Sequence, residues 1–405
     1  MAKHNHVYRW WDGDVYRQAS FPTKAEKADF VTEVRRRRRL GLSLSFEPEE
    51  PDPRLDDFVL DYWRLHAVPN LEHATRRTYE QEWVKWIEPH LGSYRLQQLT
   101  VRIIVRQLIE PMRRAGAGEQ TVLKALTMLQ SVLGFAESEE RVDANVVSKV
   151  KKPSQDVARE VPPIAPAQVE QMRALLAGGF TATVGEGKRR RTVRRPPDPV
   201  SAAIVSLLAY EGLRPEELLA LDVERHVGPG GLSVRRKVVS HRDEDQGGRW
   251  VAEVLPYTKT RRNRVVPWTA PQVRRDVRDY CMATGVRSGL LFPKGGNPKA
   301  PWVKHDWDNW REDVYQPAAR AVGIPDPRPY DLRSAFVSLL AWEGYNTAEV
   351  AKRAGHSVQT CEKHYLKVFE DVDPEQRVKA EQAIAAAREP GVAGVTRLFD
   401  IGASS

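Results

Sequence analysis

Three side chains near the carboxyl end of the chain are spaced so that they can act together on a phosphate. Arg333 lies in the segment YDLRSAF, and His356 and Tyr365 lie in GHSVQTCEKHY. His356 follows Arg333 by 23 residues, and Tyr365 comes nine residues later. A guanidinium and an imidazole can bind phosphate oxygens, and a phenol can serve as a nucleophile. The spacing therefore predicts attack by Tyr365 on a phosphodiester of DNA.

A second arginine, Arg214, lies in the segment EGLRPEELLAL. Pro215 marks the start of a helix, so the Arg214 guanidinium lies beside unpaired backbone N–H groups, a favourable place for a phosphate. Glu217 follows one turn later and is placed to hold that guanidinium. Taken alone, the same segment is better explained by ordinary helix capping and surface charge.

Lys259 lies in a basic turn, YTKTRRNRVVPW, between two strand-like runs. Cleavage of a phosphodiester without a metal needs a nucleophile, cations beside the phosphate oxygens and an acid for the leaving oxygen. An ammonium in a turn is suited to the last task, although an ordinary exposed hairpin lysine gives the same pattern. Arg261 and Arg262 are candidates for DNA contacts in the same turn.

Composition favours a polyanionic partner and a reducing compartment. The chain has 405 residues, with 63 Lys and Arg against 54 Asp and Glu, a formal net charge of +9 and a pI of about 9.4. Its two cysteines, Cys281 and Cys361, have no zinc-ligand spacing, and no nucleotide-binding glycine loop occurs. No apolar run approaches the roughly 20 residues of a membrane helix. We expect a cytoplasmic protein without metal or nucleotide cofactor.

The first residues predict a small hairpin followed by a helix. Aromatic and polar residues alternate on both sides of Asp12-Gly13, and the spacing of Thr23 and Glu26 is a capping box. One tryptophan of the Trp10-Trp11 pair is expected in the core of this small domain. The sheet and the arginine-rich end of the helix are candidates for DNA contact through four residues: Arg9, Arg17, Arg35 and Arg36.

The rest of the chain predicts a helical domain and a mixed domain, joined by proline-rich linkers. Apolar residues recur at helical spacing in four stretches between Leu55 and Glu137. Beyond Ala167, helices alternate with strand-like runs at 232–239, 250–257 and 264–268. The basic run 188–195 is either a phosphate contact or a disordered insertion. The fold class expected is multidomain, mainly α with small β elements.

The five motif residues resemble, in their order and in the spacing of the last three, the catalytic set of the tyrosine recombinases, or phage-type integrases: Arg214, Lys259, Arg333, His356 and Tyr365. The resemblance implies an arm-type DNA-binding domain at 1–45, a helical core-binding (SAM-like) domain at 55–152, and a catalytic domain at 165–390 with a C-terminal helix. It also implies that the two arginines clamp the phosphate, His356 donates a hydrogen bond, Lys259 is the general acid, and Tyr365 forms a 3′-phosphotyrosyl bond.

One position departs from the family pattern. Tyr330 stands three residues before Arg333, where the family usually has histidine. A phenol, whose ordinary pKa is about 10, is a poorer base near pH 7 than imidazole, but it can still donate to a phosphate or position Tyr365. We therefore expect cleavage to survive with weaker activation of the nucleophile. The 45-residue interval from Arg214 to Lys259 also predicts an insertion in the sheet.

By resemblance, the chain is the integrase of a mobile element and exchanges DNA strands at attachment sites through two transesterifications. A homotetramer on two DNA sites is implied, together with a host bending protein, an excision factor and association with the nucleoid. The helix that ends near Ala387 docks either on a neighbouring protomer or on its own domain. Two alternatives stay open: a type IB topoisomerase-like activity, and a DNA-binding protein of this fold that does not cleave.

Overall fold

The computed structural model describes residues 6–41, 44, 52–153, 164–184, 191–243, 247–362 and 377–389. The chain divides into two compact units, Met1–Asp156 and Val157–Ser405. Within the described ranges, none of the helices is long and apolar enough to cross a membrane. The predicted fold class, multidomain and mainly α with small β elements, is confirmed.

The first unit begins with the predicted hairpin and helix: β1 His6–Asp12, β2 Val15–Phe21 and α1 Lys24–Arg39. The two strands are antiparallel, and Gly13 in the turn has φ +58°, a left-handed conformation that suits glycine. Thr23 caps the helix by accepting a hydrogen bond from the Glu26 N–H. One tryptophan lies in the core, as predicted: Trp10 is buried, whereas Trp11 is exposed.

Four helical stretches, 55–70, 73–91, 101–114 and 119–138, form the rest of this unit around one apolar core. The first three each contain a π-helical turn that is followed within two residues by a proline. The α-helical parts are α2 Leu55–Asp61, α3 Val68–Asn70, α4 His73–Glu82, α5 Glu88–Leu91, α6 Val101–Ile103, α7 Glu110–Arg114 and α8 Glu119–Ser138. The π turns are Tyr62–Ala67, Trp83–Ile87 and Ile104–Ile109.

The second unit is built around two buried helices, α10 and α16. Its helices are α9 Pro166–Gly178, α10 Pro199–Tyr210, α11 Pro215–Leu218, α12 Val223–His226, α13 Pro271–Thr284, α14 Lys304–Trp310, α15 Gln316–Ala321, α16 Leu332–Glu343, α17 Thr347–Ala354 and α18 Ala380–Arg388. Every residue of α10 from Ser201 to Tyr210 is buried, so this helix is enclosed on all sides. It packs against α9, α13 and α16.

Three small sheets complete this unit. Their strands are β3 Phe180–Val184, β4 Arg191–Arg195, β5 Val227–Gly228, β6 Gly231–Val234, β7 Lys237–Asp243, β8 Arg249–Leu255 and β9 Arg264–Pro267. One sheet has the order β5-β6-β9, while β3-β4 and β7-β8 are separate hairpins. Along the chain, the β7-β8 hairpin therefore lies between β6 and β9, which pair with each other. The sequence predicts an insertion at this point.

The carboxyl-terminal helix α18 packs on its own unit rather than projecting from it. Ala380 and Ile384 belong to the apolar core. Arg388 donates to both carboxylate oxygens of Asp276, at 3.2 and 2.7 Å, and to Glu170 at 3.2 Å. Of the two docking modes open from the sequence, the structure has the one on the helix's own domain.

Candidate active site around Arg214 and Arg333

Arg214 is fixed by a carboxylate on its own helix and by a carbonyl far along the chain. It is the N-cap of α11, and its Nη1 donates to Glu217 Oε1 at 2.7 Å while its backbone N–H donates to Oε2 at 3.1 Å. Its Nη2 donates to the Gly355 carbonyl at 2.7 Å. Glu217 thus holds the guanidinium, as the spacing predicts, and Arg214 is joined to the residue that precedes His356.

Arg333, the second residue of α16, is only 1% exposed. Its Nη1 donates to the Gly212 carbonyl and its Nη2 to the Ala354 carbonyl, while Nε donates to His356 Nε2 at 3.0 Å. Burial and the nearby Arg214 guanidinium lower the pKa of Arg333 to about 10, so it stays charged at neutral pH. The fork expected to hold a phosphate is thus engaged by backbone carbonyls on both sides.

His356 accepts a hydrogen bond from Arg333. Because its Nε2 accepts a hydrogen bond from the Arg333 Nε–H, the ring proton lies on Nδ1. The residue before it, Gly355, ends α17 with φ +69°, and this left-handed cap turns the chain back toward the arginines. A hydrogen bond from His356 to a phosphate would therefore have to come from Nδ1, which is shielded from solvent in this structure.

A third guanidinium completes the cluster. Arg264, the first residue of β9, donates to both oxygens of Glu217, at 3.0 and 2.6 Å. The Glu217 side chain is fully buried. Although burial raises its pKa, the hydrogen bonds and charge of Arg264, with the charge of Arg214, lower the pKa to about 2. Three guanidinium groups and one carboxylate leave two positive charges, which favours an anionic ligand such as a phosphate.

Lys259 lies at the corner of an exposed turn between β8 and β9. Thr258 is fully buried, its hydroxyl donates to the Arg262 carbonyl at 3.1 Å, and its carbonyl accepts from the Arg261 N–H at 2.9 Å. Lys259 thus lies between two strands, as the sequence predicts, but these strands do not pair with each other: β8 pairs with β7, and β9 pairs with β6. In the described part of the chain no hydrogen bond joins it to Arg214 or Arg333.

Of the two tyrosines named from the sequence, only Tyr330 lies within the described residues. Tyr330 lies in a short 3₁₀ turn, Pro329–Asp331, directly before α16, and is 48% exposed. Tyr365 lies outside the described residues; the described chain is helical at 358–362, just before it. The roles of both tyrosines therefore stay predictions.

The N-terminal hairpin carries two of the candidates for DNA contact, Arg9 and Arg17. Arg9 and Trp11 point away from α1, with Arg9 Nε bonded to Gln18 at 3.3 Å. Arg17 pairs across the strands with the buried Trp10, so its side chain lies on the opposite face, where it binds Asp12 at 3.0 Å. Arg9 and Arg17 therefore lie on opposite faces of the sheet, because side chains alternate along each strand.

The remaining DNA-contact candidates are exposed. Arg35 and Arg36 lie in the last turns of α1, and Arg36 makes a two-pronged contact with Glu33, both bonds at 2.7 Å. Arg261 has φ +53° and places its guanidinium 5.2 Å from the centre of the Tyr257 ring. Arg262 is exposed at the end of the same turn. Their roles in DNA binding stay predictions.

Sequence reasoning missed three residues that shape the site: Gly212, Gly355 and Arg264. The glycine carbonyls accept from Arg333 and Arg214, and Arg264 holds Glu217. Each glycine stands one or two residues from a motif residue, in EGLR and AGHS, and this adjacency was the available signal. Arg264 is the last of several basic residues in its turn, and nothing in the sequence singles it out.

Comparison with known proteins places this geometry in context. Residues 55–111 match the family model described as phage integrase, N-terminal SAM-like domain. The prophage phiRv2 integrase of Mycobacterium tuberculosis, in strains CDC 1551 and H37Rv, is 22% identical over 371 residues, which cover 90% of this chain and 88% of the relative.

Solved structures share the fold at low identity. The Tn1549 transposon integrase in complex with a circular intermediate DNA matches with a TM-score of 0.58 and 16% identity, over 77% of this chain and 95% of the other. A lambda integrase tetramer bound to a Holliday junction matches with a TM-score of 0.53 and 14% identity, over 88% and 95%. These matches support the resemblance drawn from the motifs: residues 55–111 are similar to the SAM-like domain of phage integrases, and the chain shares the fold of the Tn1549 and lambda integrases.

Proposed function

We propose that this chain is a site-specific DNA recombinase, the integrase of a mobile element. The observation that carries the proposal is the cluster in which Arg214, Arg333 and His356, separated by up to 142 positions, are joined through the Gly355 carbonyl and the Arg333–His356 hydrogen bond. A buried cluster with two net positive charges suits a phosphate whose negative charge grows during attack.

In the proposed reaction the Tyr365 oxygen attacks the scissile phosphorus, and the bond from phosphorus to the 5′ oxygen breaks. The phenol gives its proton to a solvent water, and Lys259 gives a proton to the departing 5′ oxygen. A 3′-phosphotyrosyl bond forms, and attack by a partner strand's 5′-hydroxyl reverses the step. The phosphodiester energy is kept in the phosphotyrosine, so the reaction needs neither metal nor nucleotide.

Arg214 and Arg333 hold the non-bridging oxygens in this scheme. Because both terminal nitrogens of Arg333 donate to the Gly212 and Ala354 carbonyls, a direct contact requires one of these acceptors to be exchanged for a phosphate oxygen. His356 adds a hydrogen bond from Nδ1, and Glu217 keeps Arg214 oriented.

The proposal extends to domains and assembly. We assign arm-type DNA binding to residues 1–45, core-site binding to 55–152 and catalysis to 165–390. A homotetramer on two attachment sites is supported by the fold shared with the lambda integrase tetramer on a Holliday junction. A host bending protein and an excision factor complete the expected set of partners, and the working location is the nucleoid.

Covalent trapping on nicked duplexes tests the proposal. The duplexes span the junctions of the element that carries the gene, and the nick lets a short fragment leave after cleavage. We expect wild type to form a protein–DNA adduct in the presence of EDTA, and Tyr365→Phe to form none. Tyr94→Phe, which removes a phenol hydroxyl from the first unit, is the control and should retain the adduct.

Two other outcomes favour the alternatives. If wild type binds the DNA tightly and forms no adduct, the chain is a DNA-binding protein of this fold that does not cleave. If it forms adducts and relaxes supercoiled plasmids that lack the junctions, yet joins no strands between sites, the activity is of the type IB topoisomerase kind. An adduct that EDTA abolishes would contradict the metal-independent mechanism.

A further inference from the structure

Arg264 contacts two parts of the active-site cluster and is itself shielded from solvent. Its side chain is 7% exposed. Nη1 and Nη2 donate to the two Glu217 oxygens, and Nε donates to the Arg353 carbonyl at 3.1 Å. Since all three nitrogens bind acceptors of the protein, Arg264 is placed to act on other residues rather than on DNA.

The first of those residues is Glu217. This carboxylate carries the guanidinium of Arg214 on one oxygen and that of Arg264 on both. A carboxylate shared in this way is fixed in the plane of the Arg264 fork. Without Arg264, Glu217 would be free to rotate onto Arg214 alone and form a two-pronged pair, which would turn the Arg214 guanidinium and neutralise its charge.

The second contact is with the loop that carries His356. The Arg264 guanidinium lies directly against Gly355, where an added Cβ would come within 2.7 Å of Nη1. Gly355 also gives its carbonyl to Arg214, and the neighbouring Arg353 gives its carbonyl to Arg264. Arg264 therefore fills the space between α11 and the end of α17, and sets how closely they approach.

Arg264 also links this pair of helices to the strand that follows the Lys259 turn. It is the first residue of β9, five positions after Lys259, and pairs with Val234 across the sheet. The same side chain thus fixes the end of that turn against the two arginine-bearing regions.

We propose that Arg264 is a positioning residue for DNA cleavage: through Glu217 it sets the orientation of Arg214, and through Arg353 and Gly355 it sets the position of His356. The inference rests on the proposed recombinase function. It deepens that function by assigning a role to a residue outside the five motif positions.

The test compares single-turnover adduct formation by wild type and two variants on the nicked duplexes described above. Arg264→Lys keeps the charge but loses the planar fork, and Arg264→Gln loses both. We expect Arg264→Lys to form the adduct about 10- to 100-fold more slowly, because a displacement of about 1 Å has this effect on a positioned group. DNA affinity at matched salt should stay within about twofold, since Arg264 is shielded from solvent and its nitrogens bind acceptors of the protein.

Arg173→Lys is the matched control. Arg173 also makes ion pairs with two carboxylates, Glu170 at 2.5 Å and Asp276 at 2.6 Å, in the same unit. Because Arg173→Lys also weakens two ion pairs, it should lower the melting temperature as much as Arg264→Lys does. Because Arg173 lies outside the cluster, the cleavage rate should stay within about twofold of wild type. Equal rate losses for both variants would mean that the effect is one of general stability.

A pH profile separates positioning from structural support. Glu217 faces the charges of Arg214, Arg264 and, from α16, Arg333. Its folded pKa is lowered by these neighbours, so removal of the Arg264 charge raises it. As the solution is acidified, Arg264→Gln should therefore lose cleavage at a higher pH than wild type does. A purely structural role predicts profiles of the same shape.

The outcomes distinguish this proposal from the one on which it rests. Absence of an adduct with wild type overturns the recombinase function and the role of Arg264 with it. A wild-type adduct together with Arg264 variants that cleave at the wild-type rate overturns the role of Arg264 alone. If melting shows that Arg264→Lys does not fold, Arg264→Gln becomes the test. The acidic side of its pH profile of cleavage must then shift to higher pH for the proposal to stand.

Discussion

The backbone carbonyls of two glycines orient the arginines of the site. Gly212 has φ +56°, and its Cα packs against the Phe336 ring with no room for a Cβ, so its carbonyl reaches Arg333. Gly355 has φ +69° and presents its carbonyl to Arg214. A left-handed conformation costs other residues roughly 1–2 kcal/mol. The buried guanidinium groups are thus oriented by backbone that only glycine adopts easily.

The exposed phenol before α16 allows the departure from the family pattern to be tested without disturbing the core. We expect Tyr330→His to raise the single-turnover rate of adduct formation several-fold at pH 7, because an imidazole is a better base there than a phenol. Since Tyr330 is 48% exposed, the melting temperature should hardly change.

Tyr330→Phe is the control for this substitution. It keeps the ring and removes the hydroxyl, so a rate below that of wild type would show that the phenol already assists cleavage. An unchanged rate in Tyr330→His would instead show that the position is mainly structural.

At the residue scale, the sequence predicts that Arg214, Arg333 and His356 lie together, but it does not predict which contacts hold them in place. Arg333, His356 and Arg214 could be singled out because their residue types and spacing match a known chemistry. The roles of Arg264 and of the glycine carbonyls depend on contacts between residues 47 to 141 positions apart. Contacts of that kind leave no periodicity in the chain, because they are set by how the helices pack.

Among the elements, three of the four helical stretches of the first unit continue through prolines that would ordinarily end them. Pro69, Pro89 and Pro111 each follow a π-helical turn, and Pro317 does so in the second unit. Proline lacks an N–H and clashes with the carbonyl four residues back. Widening the preceding turn moves that carbonyl, so the helix continues. Apolar periodicity therefore predicts these helices correctly, whereas the prolines alone predict breaks.

The sheets are less predictable than the helices. The strand-like runs at 232–239, 250–257 and 264–268 correspond closely to observed strands, but their order in the sheets does not follow from the sequence. The run at 232–239 is divided between β6 and β7, which belong to different sheets. Pairing is decided by register against distant strands, and local β propensity carries little information about it.

The anchor of helix α18 is expected to be a stabilising ion network. We expect Arg388→Gln to destabilise the second unit by about 2–3 kcal/mol, because it leaves Glu170 and Asp276 with only Arg173 as a cationic partner in a partly buried site. Hydrogen exchange of residues 380–388 and the melting temperature measure the effect.

The neighbouring exposed carboxylate supplies a control for this variant. Glu389→Gln changes the net charge by one unit in the opposite direction at an exposed position, and it should leave both measurements within error of wild type. Exchange at 380–388 that is unaffected by Arg388→Gln would mean that Ala380 and Ile384 alone hold the helix.

At the scale of the whole molecule, the apolar residues form separate cores. One lies in the second unit, a large one in the helical part of the first, and a small one behind the N-terminal hairpin, built on Trp10, Val34 and Leu44. The two-unit division falls near the proline-rich stretch from Lys151 to Pro166. The finer division of the first unit at about residue 50 stays a prediction, as does the assignment of DNA contacts to each part.

The hairpin between β6 and β9 also bears on the order in which the chain folds. Val234 pairs with Arg264 across the 29 residues 235–263, and within them Lys237 pairs with Leu255. If β7 and β8 pair first, the loop between Val234 and Arg264 is shortened. It then consists of residues 235–236 and 256–263, ten in all, together with the paired ends Lys237 and Leu255. This shortening lowers the entropic cost of closing the loop by about 0.8 kcal/mol. We expect pulse-labelled hydrogen exchange to find the amides of β7 and β8 protected before those of β9. The nucleation of a local hairpin would thus precede assembly of the arginine cluster during refolding; simultaneous protection of all three strands would contradict this order.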